Sequence, residues 1–291
     1  MKQRISRRQF LAAAGVAAAA GLLSACGATS TAASSTASSA AAGASSAASA
    51  AESDWDYISG KGELVIGVTQ YEPMNYFDTD GTTWIGFDTE MAEAVCAKLG
   101  LTAVFQEIEW DNKVLELEAK NIDCIWNGMT VTDELAQSID FSISYSENVQ
   151  VCVINASNAD TYTSIDTINV SGVAVGAEAG SAGEAAVQDN FPNASLTSLN
   201  VQRDCLLELK SGTLDVGVMD RTLAVSTTGE GTDFADLMVV DGLELTHEEF
   251  AVGLRKGSDF TEKLNEALQE LAADGTVAAL AEKYPTVVVT L

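Results

Sequence analysis

The chain has 291 residues, of which 42 are acidic and 15 basic, giving a formal net charge of −27 at pH 7. So acidic a protein is not expected to bind nucleic acid or an anionic membrane electrostatically, and its charge chiefly favours solubility. It contains one histidine and no pair of cysteines at C-x-x-C spacing. The composition therefore supports neither a metal site nor a Cys/His nucleophile, and no cofactor is expected.

The N-terminus has the pattern of an export signal. Four basic side chains within the first eight residues precede an uncharged apolar stretch at 10–25. At roughly 15 residues, this stretch is too short to span a bilayer by itself. Residues 6–11, Ser-Arg-Arg-Gln-Phe-Leu, resemble the twin-arginine export motif. An ordinary Sec signal that carries two arginines is the alternative.

The residues that follow predict a lipid anchor and a linker. Leu-Ser-Ala-Cys at 23–26 resembles a lipobox, in which the cysteine becomes the acylated N-terminus; an unmodified cysteine is the alternative. We expect a signal peptide at 1–25 and, on Cys26, acyl chains that contribute roughly 0.8 kcal/mol per buried methylene. Segment 26–51 is almost wholly Ala, Ser, Thr and Gly, which predicts a disordered tether. Together these features predict a protein anchored on the extracytoplasmic face of the cell membrane.

From residue 52 onwards, strand patterns and helix patterns alternate. A β-branched strand is predicted at 64–68, followed by a helix at 87–100, in which Asp88 caps the first turn and Gly100 ends the helix. The later strands are predicted at 102–106, 123–126, 149–154, 173–177, 214–219 and 250–254. The later helices are predicted at 112–120, 181–190, 203–210, 260–273 and 277–284. Such alternation predicts α/β layers with largely parallel sheets.

Four cysteines follow Cys26. Most of them lie within apolar periodic stretches, which favours buried free thiols, and a disulfide between Cys124 and Cys152 is the open alternative. The four are Cys96, Cys124, Cys152 and Cys205.

Two stretches, 117–127 and 207–220, repeat the same order of features: a helix, a tight turn, an aspartate, a strand and a polar residue where the strand ends. In open α/β sheets, ligands bind beyond the carboxyl ends of strands. Two such ends facing each other predict a cleft between two lobes. Chance similarity between common helix–turn–strand units is the alternative.

A series of short motifs runs in order along nearly the whole chain after residue 60. They are Gly-Glu-Leu-Val-Ile-Gly-Val at 62–68, Glu-Pro-Met at 72–74, Ile-Gly-Phe-Asp at 85–88, Trp-Asp at 110–111, Ile-Asp-Cys-Ile-Trp-Asn-Gly-Met-Thr-Val-Thr at 122–132, Ile-Asp-Phe-Ser at 139–142, Gly-Ser-Ala-Gly-Glu at 180–184, Ser-Gly-Thr-Leu-Asp at 211–215 and Phe-Ala-Val-Gly-Leu-Arg-Lys-Gly at 250–257. No single motif is specific, but their order is. By this order the chain resembles the polar amino-acid-binding proteins of ABC importers, the extracytoplasmic solute-binding protein family 3.

That resemblance implies a two-lobed, type II periplasmic-binding-protein-like fold, in which each lobe is a mostly parallel sheet flanked by helices. Two hinge strands would join lobe 1, at 52–148 and 251–291, to lobe 2, at 149–250. The implied function is that of an extracytoplasmic receptor that binds a small polar ligand, an amino acid or an amine-bearing solute, between the lobes. As a monomer and not an enzyme, it would deliver that solute to an ABC permease and its ATPase.

The resemblance also implies a ligand site built from both lobes. Tyr71 matches an aromatic residue that covers the ligand and attracts a cationic amine through a cation–π contact. Ser181 begins a helix whose N–H groups suit a carboxylate, and Asp220 matches the aspartate that pairs with an α-amino group. The complete predicted set is Tyr71, Glu72, Asn127, Gly128, Thr130, Thr132, Ser181, Ala182, Asp220 and Arg221.

These residues also have local explanations. Tyr71 would then be a partly exposed surface tyrosine, and the polar groups of 127–132 would bond within their own turn. Ser181 and Glu184 have the spacing of a capping box, a role compatible with ligand binding. Asp220 would be a solvent-facing helix cap.

The chain departs from the family at Leu135. In the family, Thr-x-Glu is followed by an arginine that makes a bidentate contact with the ligand's α-carboxylate, and leucine replaces none of that contact. Three explanations follow: the ligand lacks an α-carboxylate, or Arg221 or Arg203 supplies the charge from the other lobe, or amino-acid binding has been lost.

Two other functions stay open at the level of the sequence. A few proteins of this fold are dehydratases of the cyclohexadienyl type, which act on cyclic amino-acid precursors. Here Glu72 or Glu178 would be the candidate acid, provided that burial raises its pKa. The second alternative is a sensor that reports its ligand to a separate signalling chain without transport.

Overall fold

The computed structural model describes residues 53–291. The signal peptide predicted at 1–25, the lipid anchor predicted on Cys26 and the linker predicted at 26–51 lie outside these residues. Within the described part of the chain, no helix combines the length and the apolar character that crossing a bilayer requires.

Helices and strands alternate along the described chain. The helices are α1 (Asp54–Lys61), α2 (Phe87–Leu99), α3 (Lys113–Glu118), α4 (Leu135–Ser138), α5 (Ile165–Ile168), α6 (Ala182–Asn190), α7 (Gln202–Ser211), α8 (Arg221–Thr227), α9 (Phe260–Ala273) and α10 (Thr276–Lys283). The strands are β1 (Glu63–Val68), β2 (Tyr76–Phe77), β3 (Trp84–Ile85), β4 (Thr102–Glu107), β5 (Cys124–Ile125), β6 (Ile139–Phe141), β7 (Ser146–Asn155), β8 (Ala174–Glu178), β9 (Ser195–Leu199), β10 (Val216–Asp220), β11 (Leu237–Phe250), β12 (Gly253–Arg255) and β13 (Val288–Val289).

Two mixed sheets organise these elements. The first has the order β4-β1-β5-β12-β6, with β1 parallel to β4 and β5, and β12 antiparallel to β5 and β6. The second has the order β11-β7-β10-β8-β9, with β8 parallel to β9 and β10, and β7 antiparallel to β10, β11 and β13. The α/β prediction is confirmed, but the sheets are mixed rather than largely parallel, because in each one the parallel pairs lie on one side and the antiparallel pairs on the other.

Helix α2 begins differently from the prediction. Its N-cap is Gly86, at a positive φ, where an added Cβ would lie 2.2 Å from the carbonyl oxygen of Met74. Asp88 is instead fully buried, and its Oδ2 accepts hydrogen bonds from the Gly128 N–H (2.7 Å) and the Tyr145 hydroxyl (3.0 Å). The prediction that Asp88 caps the first turn is therefore wrong, because this carboxylate bonds to the loop after β5 rather than to its own helix.

Apolar side chains fill the space between the helices and the sheets. Among the largest fully buried ones are Trp126, Tyr71, Tyr145, Phe87, Phe191, Phe250 and Phe260. The four cysteines of the described residues are buried and free, which confirms the expectation of free thiols. The alternative, a disulfide between Cys124 and Cys152, is wrong.

The two repeated helix–turn–strand stretches share one hydrogen-bond pattern. Asp123 donates its N–H to the carbonyl oxygen of Val65 (2.7 Å), and its carboxylate accepts the Val65 N–H (2.7 Å). Asp215 makes the same pair of bonds with Ala174, at 2.9 and 2.8 Å. Each aspartate thus fixes its strand beside the neighbouring parallel strand, so that the residues ending β5 and β10 come to the carboxyl edge of their sheet.

Candidate functional site

A cavity of about 450 Å³ is lined by residues that follow strands of both sheets, and we call it the cleft. Its volume is in the range of small-molecule binding sites. The predicted residues that line it are Asn127, Gly128, Thr130, Thr132, Ser181, Ala182 and Asp220. Three predicted residues, Tyr71, Glu72 and Arg221, are not part of its lining.

Asn127 and Gly128 line the cleft on the side of the first sheet. The Asn127 side chain is engaged inside the protein, since its Oδ1 accepts the Thr69 N–H (3.0 Å) and its Nδ2 donates to the Thr69 hydroxyl (2.7 Å). Gly128 has a φ of +56°, and an added Cβ would lie 2.6 Å from Cε1 of Tyr71. Tyr71 is therefore buried beneath this loop, and its hydroxyl has no hydrogen-bond partner among residues 53–291.

The two threonines after Gly128 bond to nearby groups. Thr130 Oγ1 donates to Oε2 of Glu248 (3.0 Å), whereas Thr132 Oγ1 accepts the N–H of Leu135 (3.1 Å) at the start of α4. Leu135 itself lines the cleft. An apolar side chain thus occupies the position where the resemblance places the carboxylate-binding arginine.

Helix α6 meets the cleft with its N-terminus. Ser181 Oγ accepts the N–H of Glu184 (3.1 Å), and Oε2 of Glu184 accepts the N–H of Gly180 (2.9 Å). The Ser181 half of the predicted capping box is confirmed, whereas Glu184 accepts the N–H of Gly180 instead of that of Ser181; Ala182 lies beside the cap in the cleft lining. The acidic side chain of Glu184 already occupies the positive end of the helix dipole, so a ligand carboxylate would meet a like charge there.

Asp220, the last residue of β10, is buried among side-chain amides. Its Oδ1 accepts hydrogen bonds from Asn148 Nδ2 and Gln150 Nε2, and its Oδ2 accepts one from Gln202 Nε2. The Asn148 and Gln150 amides also donate to Oε2 of Glu248, at 3.2 and 3.1 Å, so that two carboxylates share two donors. Burial, and after it the charge of Glu248, raises the pKa of Asp220 above its ordinary value.

Two buried acceptor atoms in the cleft lining have no donor. Glu178, which ends β8, and Gln150, in β7, both line the cleft and are each 2% exposed. In the described part of the protein, Oε1 of each has no hydrogen-bond partner. Burial, and after it the charge of Asp220, raises the pKa of Glu178 well above its ordinary value.

Lys113 is the single cationic side chain that lines the cleft within residues 53–291. Its Nζ donates to the carbonyl oxygens of Gly180 (2.8 Å) and Trp110 (3.1 Å) and lies 4.8 Å from the centroid of the Trp110 ring. Burial lowers the pKa of Lys113, and the charges of Glu178 and Asp111 oppose that shift. The lysine therefore connects α3 to the loop before α6, across the cleft.

The remaining predicted residues lie outside the cleft lining. Glu72 is half-buried, and burial raises its pKa, with Arg203 opposing the shift. Arg221 is exposed and lines a separate groove of about 430 Å³ together with His247. Arg203 forms an ion pair with Asp233 (3.6 Å). Neither arginine brings its charge to the cleft.

Several cleft residues were not predicted from the sequence. The sequence does contain an indication for Gln150, because a glutamine within a largely apolar strand needs hydrogen-bond partners once it is buried. Lys113 lies two residues after the Trp-Asp motif, but nothing local shows that its side chain crosses to Gly180. The residues missed are Lys113, Gln150 and Gln202, which line the cleft, and Glu248, which lies outside the lining and accepts a hydrogen bond from Gln150. Over residues 53–291, no group of three or more His, Cys, Asp or Glu side chains is arranged to hold a metal ion.

Two α/β sheets whose strand ends meet at a polar cleft define a class of protein, the receptors that enclose a small solute. Within that class, residues 64–287 match the bacterial extracellular solute-binding proteins, family 3, and the chain belongs to this family.

Individual relatives support the assignment. The L-cystine-binding protein TcyJ of Escherichia coli (strain K12) is 27% identical over 228 residues, which cover 78% of this chain and 84% of the relative. A solved amino acid ABC transporter substrate-binding protein from Streptococcus pneumoniae, bound to L-arginine, aligns with a TM-score of 0.73 and 28% identity, over 82% of this chain and 100% of that one.

A second similar structure is the ancestral amino acid-binding protein AncCDT-1, a precursor of cyclohexadienyl dehydratase. It aligns with a TM-score of 0.73 and 29% identity, over 80% of this chain and 99% of that one. The predicted type II periplasmic-binding-protein fold is confirmed, as is the function of an extracytoplasmic solute receptor of an ABC importer.

Proposed function

We propose that the cleft binds a small cationic amine that lacks an α-carboxylate. The observation that carries the proposal is the charge of the cleft wall. Asp220 and Glu178 are buried carboxylates, and Lys113, which donates to two backbone carbonyl oxygens, pairs with neither of them. Since buried charges require partners, a ligand ammonium group would supply the missing positive charge.

A ligand carboxylate finds little in the cleft to neutralise it. Leu135 supplies no charge, and Glu184 already occupies the N-terminus of α6. Asp111 and Glu134 add two further acidic side chains to the same lining. An uncompensated carboxylate in a closed cleft would carry a desolvation penalty of several kcal/mol, so this chain favours ligands without one.

Matched pairs of an amino acid and its decarboxylated amine test this proposal. The pairs are lysine with cadaverine, arginine with agmatine, and histidine with histamine, each added to the purified protein in a thermal unfolding experiment. A ligand at a hundred times its Kd stabilises the fold by about 2.7 kcal/mol, which a melting curve resolves. We expect at least one amine to raise Tm while its parent amino acid does not.

The reverse order, a shift with amino acids and none with amines, would overturn the proposal. Lys113→Gln would then test whether the lysine holds the carboxylate in place of an arginine.

The wider proposal concerns how the receptor works in the cell. Lobe 1 would comprise 52–148 and 251–291, and lobe 2 would comprise 149–250. In support of these bounds, β1 to β6 and β12, which lobe 1 would contain, all lie outside the second sheet. Strand β13 is the exception, because it belongs to lobe 1 by sequence but pairs with β7 of the second sheet. Lipidation of Cys26 would hold the monomer beside an ABC permease and its ATPase. Loss of radiolabelled palmitate from a Cys26→Ser variant in cells would be the expected result for the anchor.

One observation favours a second candidate, a dehydratase. Glu178 lines the cleft with a raised pKa, which a general acid requires, and AncCDT-1 is described as a precursor of such an enzyme. The acidic cleft disfavours the carboxylate-bearing substrates prephenate and arogenate. Their incubation with the protein is expected to leave them unconsumed, whereas multiple turnovers would establish the enzyme.

A further inference from the structure

Glu178 and Gln150 line the cleft, and each has a buried acceptor oxygen, Oε1, that no donor among residues 53–291 satisfies. Both side chains are almost fully buried and both line the cleft. A buried acceptor without a donor is destabilising, and such groups are rare in native proteins. A ligand donor is the simplest way to satisfy them in a site that exists to bind solutes.

The orientation of the Gln150 amide is fixed by its neighbours. Its Nε2 donates to Oδ1 of Asp220 (2.7 Å) and to Oε2 of Glu248 (3.1 Å). Exchanging the amide nitrogen and oxygen would set an oxygen against two carboxylates, so the nitrogen must face them. Oε1 of Gln150 therefore points to the other side, where it comes close to Gly183 of α6: a Cβ added to Gly183 would lie 3.0 Å from it.

The carboxyl groups of Glu178 and Asp220 differ in how many hydrogen bonds they accept. Asp220 accepts hydrogen bonds from three side-chain amides, whereas Oε1 of Glu178 accepts none within residues 53–291. Lys113 does not pair with Glu178, because its Nζ donates to backbone carbonyl oxygens on the two sides of the cleft. The cleft thus offers two separate carboxyl groups, Asp220 and Glu178, and an ammonium group beside either one would favour its ionised form.

We infer that Glu178, with Oε1 of Gln150, forms a second ammonium subsite beside Asp220, and that the preferred ligand is a small aliphatic diamine. This inference rests on the proposed function, because it names the class of amine that the cleft selects. An ammonium group offers three donors together with a positive charge, which suits two bare acceptors of which one is a carboxylate. A cavity of about 450 Å³ admits such a ligand.

A pair of ligands with the same carbon chain tests the subsite. The affinities of butylamine and putrescine are measured by isothermal titration calorimetry on the purified wild-type protein and on Glu178→Gln. The wild type is expected to bind putrescine at least about tenfold more tightly, because the second ammonium gains a charge-assisted hydrogen bond. In Glu178→Gln the ratio of the two affinities is expected to fall to within about twofold, because the second ammonium group loses its carboxylate partner.

Asp189→Asn is the matched control, since it removes an exposed carboxylate from the neighbouring helix α6. It is expected to keep the wild-type preference, which shows that the effect is local and not one of net charge. Equal binding of the two ligands by the wild type, or an unchanged preference in Glu178→Gln, overturns the subsite while the proposed function stands. Binding of an amino acid together with failure to bind either amine overturns the proposed function itself.

A second variant covers the case in which Glu178→Gln does not fold. Glu178→Asp keeps the charge but withdraws it by one methylene group. Across diaminopropane, putrescine, cadaverine and diaminohexane, the length bound most tightly is expected to increase by one methylene relative to the wild type. An unchanged optimum would overturn the assignment of Glu178 as the second anionic position.

Discussion

Leu135 is an apolar side chain on a cleft wall that is otherwise rich in carboxylates. Leu135→Arg would introduce a planar cation at this wall, able to make a bidentate contact with a ligand carboxylate. We expect the variant to gain binding of at least one amino acid and to bind amines more weakly, by about tenfold or more. Calorimetric titration with the same amino acid and amine pairs measures both changes.

The control for that substitution is Leu115→Arg. Leu115 is 64% exposed on α3, so the variant adds the same charge away from the cleft. It is expected to leave ligand preference unaltered. If both variants alter it equally, the effect comes from net charge and the role assigned to position 135 is wrong.

Asp88 gives the protein an unusual dependence of stability on pH. Burial raises its pKa from 3.8 to about 7, with the hydrogen bonds from Gly128 and Tyr145 opposing the shift. Between these two values the folded protein binds more protons than the unfolded chain, so the contribution of this group to stability falls as pH rises from about 4 to about 7. Asp88→Asn removes the titration, and its Tm is therefore expected to improve relative to the wild type over this range.

Melting curves recorded at intervals from about pH 4 to about pH 8 test that expectation, because this range contains both the ordinary and the raised pKa of Asp88. The shift of about three units corresponds to an upper limit of about 4 kcal/mol. Asp189→Asn, which removes an exposed carboxylate, serves as control. A Tm difference between Asp88→Asn and the wild type that does not change with pH would contradict the prediction.

At the scale of elements, Ser181 at the N-terminus of α6 has two candidate roles, capping the helix and contacting the ligand, and one substitution distinguishes them. Its Oγ accepts the Glu184 N–H, so Ser181→Ala is expected to lower the free energy of unfolding by about 1 kcal/mol. Denaturant unfolding measures this loss. Because an amine ligand does not use the N–H groups of a helix N-terminus, amine affinity in the same variant is expected to stay within about twofold of wild type. A large loss of affinity with intact stability would place the ligand at this helix end.

The strongly periodic elements were predictable from the sequence, and the less regular ones were not. The predicted helices at 181–190 and 260–273 correspond to α6 and α9, because their apolar residues recur at helical spacing. Strand β11 was missed except for its last residue. It contains Gly242 at positive φ and a shift in register against β7 between Val239 and Glu244, which interrupts the alternation that identifies a strand.

The candidate site was predictable only where local motifs reach the cleft. Asn127 follows β5 by two residues and Asp220 is the last residue of β10, and both line the cleft as their position at the carboxyl end of a strand suggests. Glu248 joins them from β11 through hydrogen bonds with Asn148 and Gln150, and Lys113 enters from α3. Such convergence arises from the packing of elements distant in sequence, which no local pattern encodes.

At the scale of the whole molecule, charge should govern how the ligand arrives. The chain carries a net charge of −27, and its cleft is acidic, so a cationic ligand is attracted over a distance that salt shortens. The screening length falls from about 30 Å at about 0.01 M salt to about 3 Å at about 1 M. We expect the association rate of the amine to fall steeply over this range, with little change in its dissociation rate.

Stopped-flow measurement of binding at several salt concentrations tests this expectation. The comparison is the dependence of the association rate on salt concentration, measured either for an uncharged analogue that binds the same cleft or for the amine with Glu178→Gln. An association rate that is independent of salt would show that the field of the protein does not guide the ligand.

The four buried thiols allow the opening of the two sheets to be followed separately by chemical labelling. Cys96 in α2 and Cys124 in β5 pack with the first sheet, whereas Cys152 in β7 and Cys205 in α7 pack with the second. Burial raises the pKa of Cys96 and of Cys152 to about 12, so these thiols are almost unreactive while their surroundings stay closed. Pulses of a thiol-alkylating reagent during mild denaturation, followed by peptide mass spectrometry, would therefore record which sheet opens first and how fast.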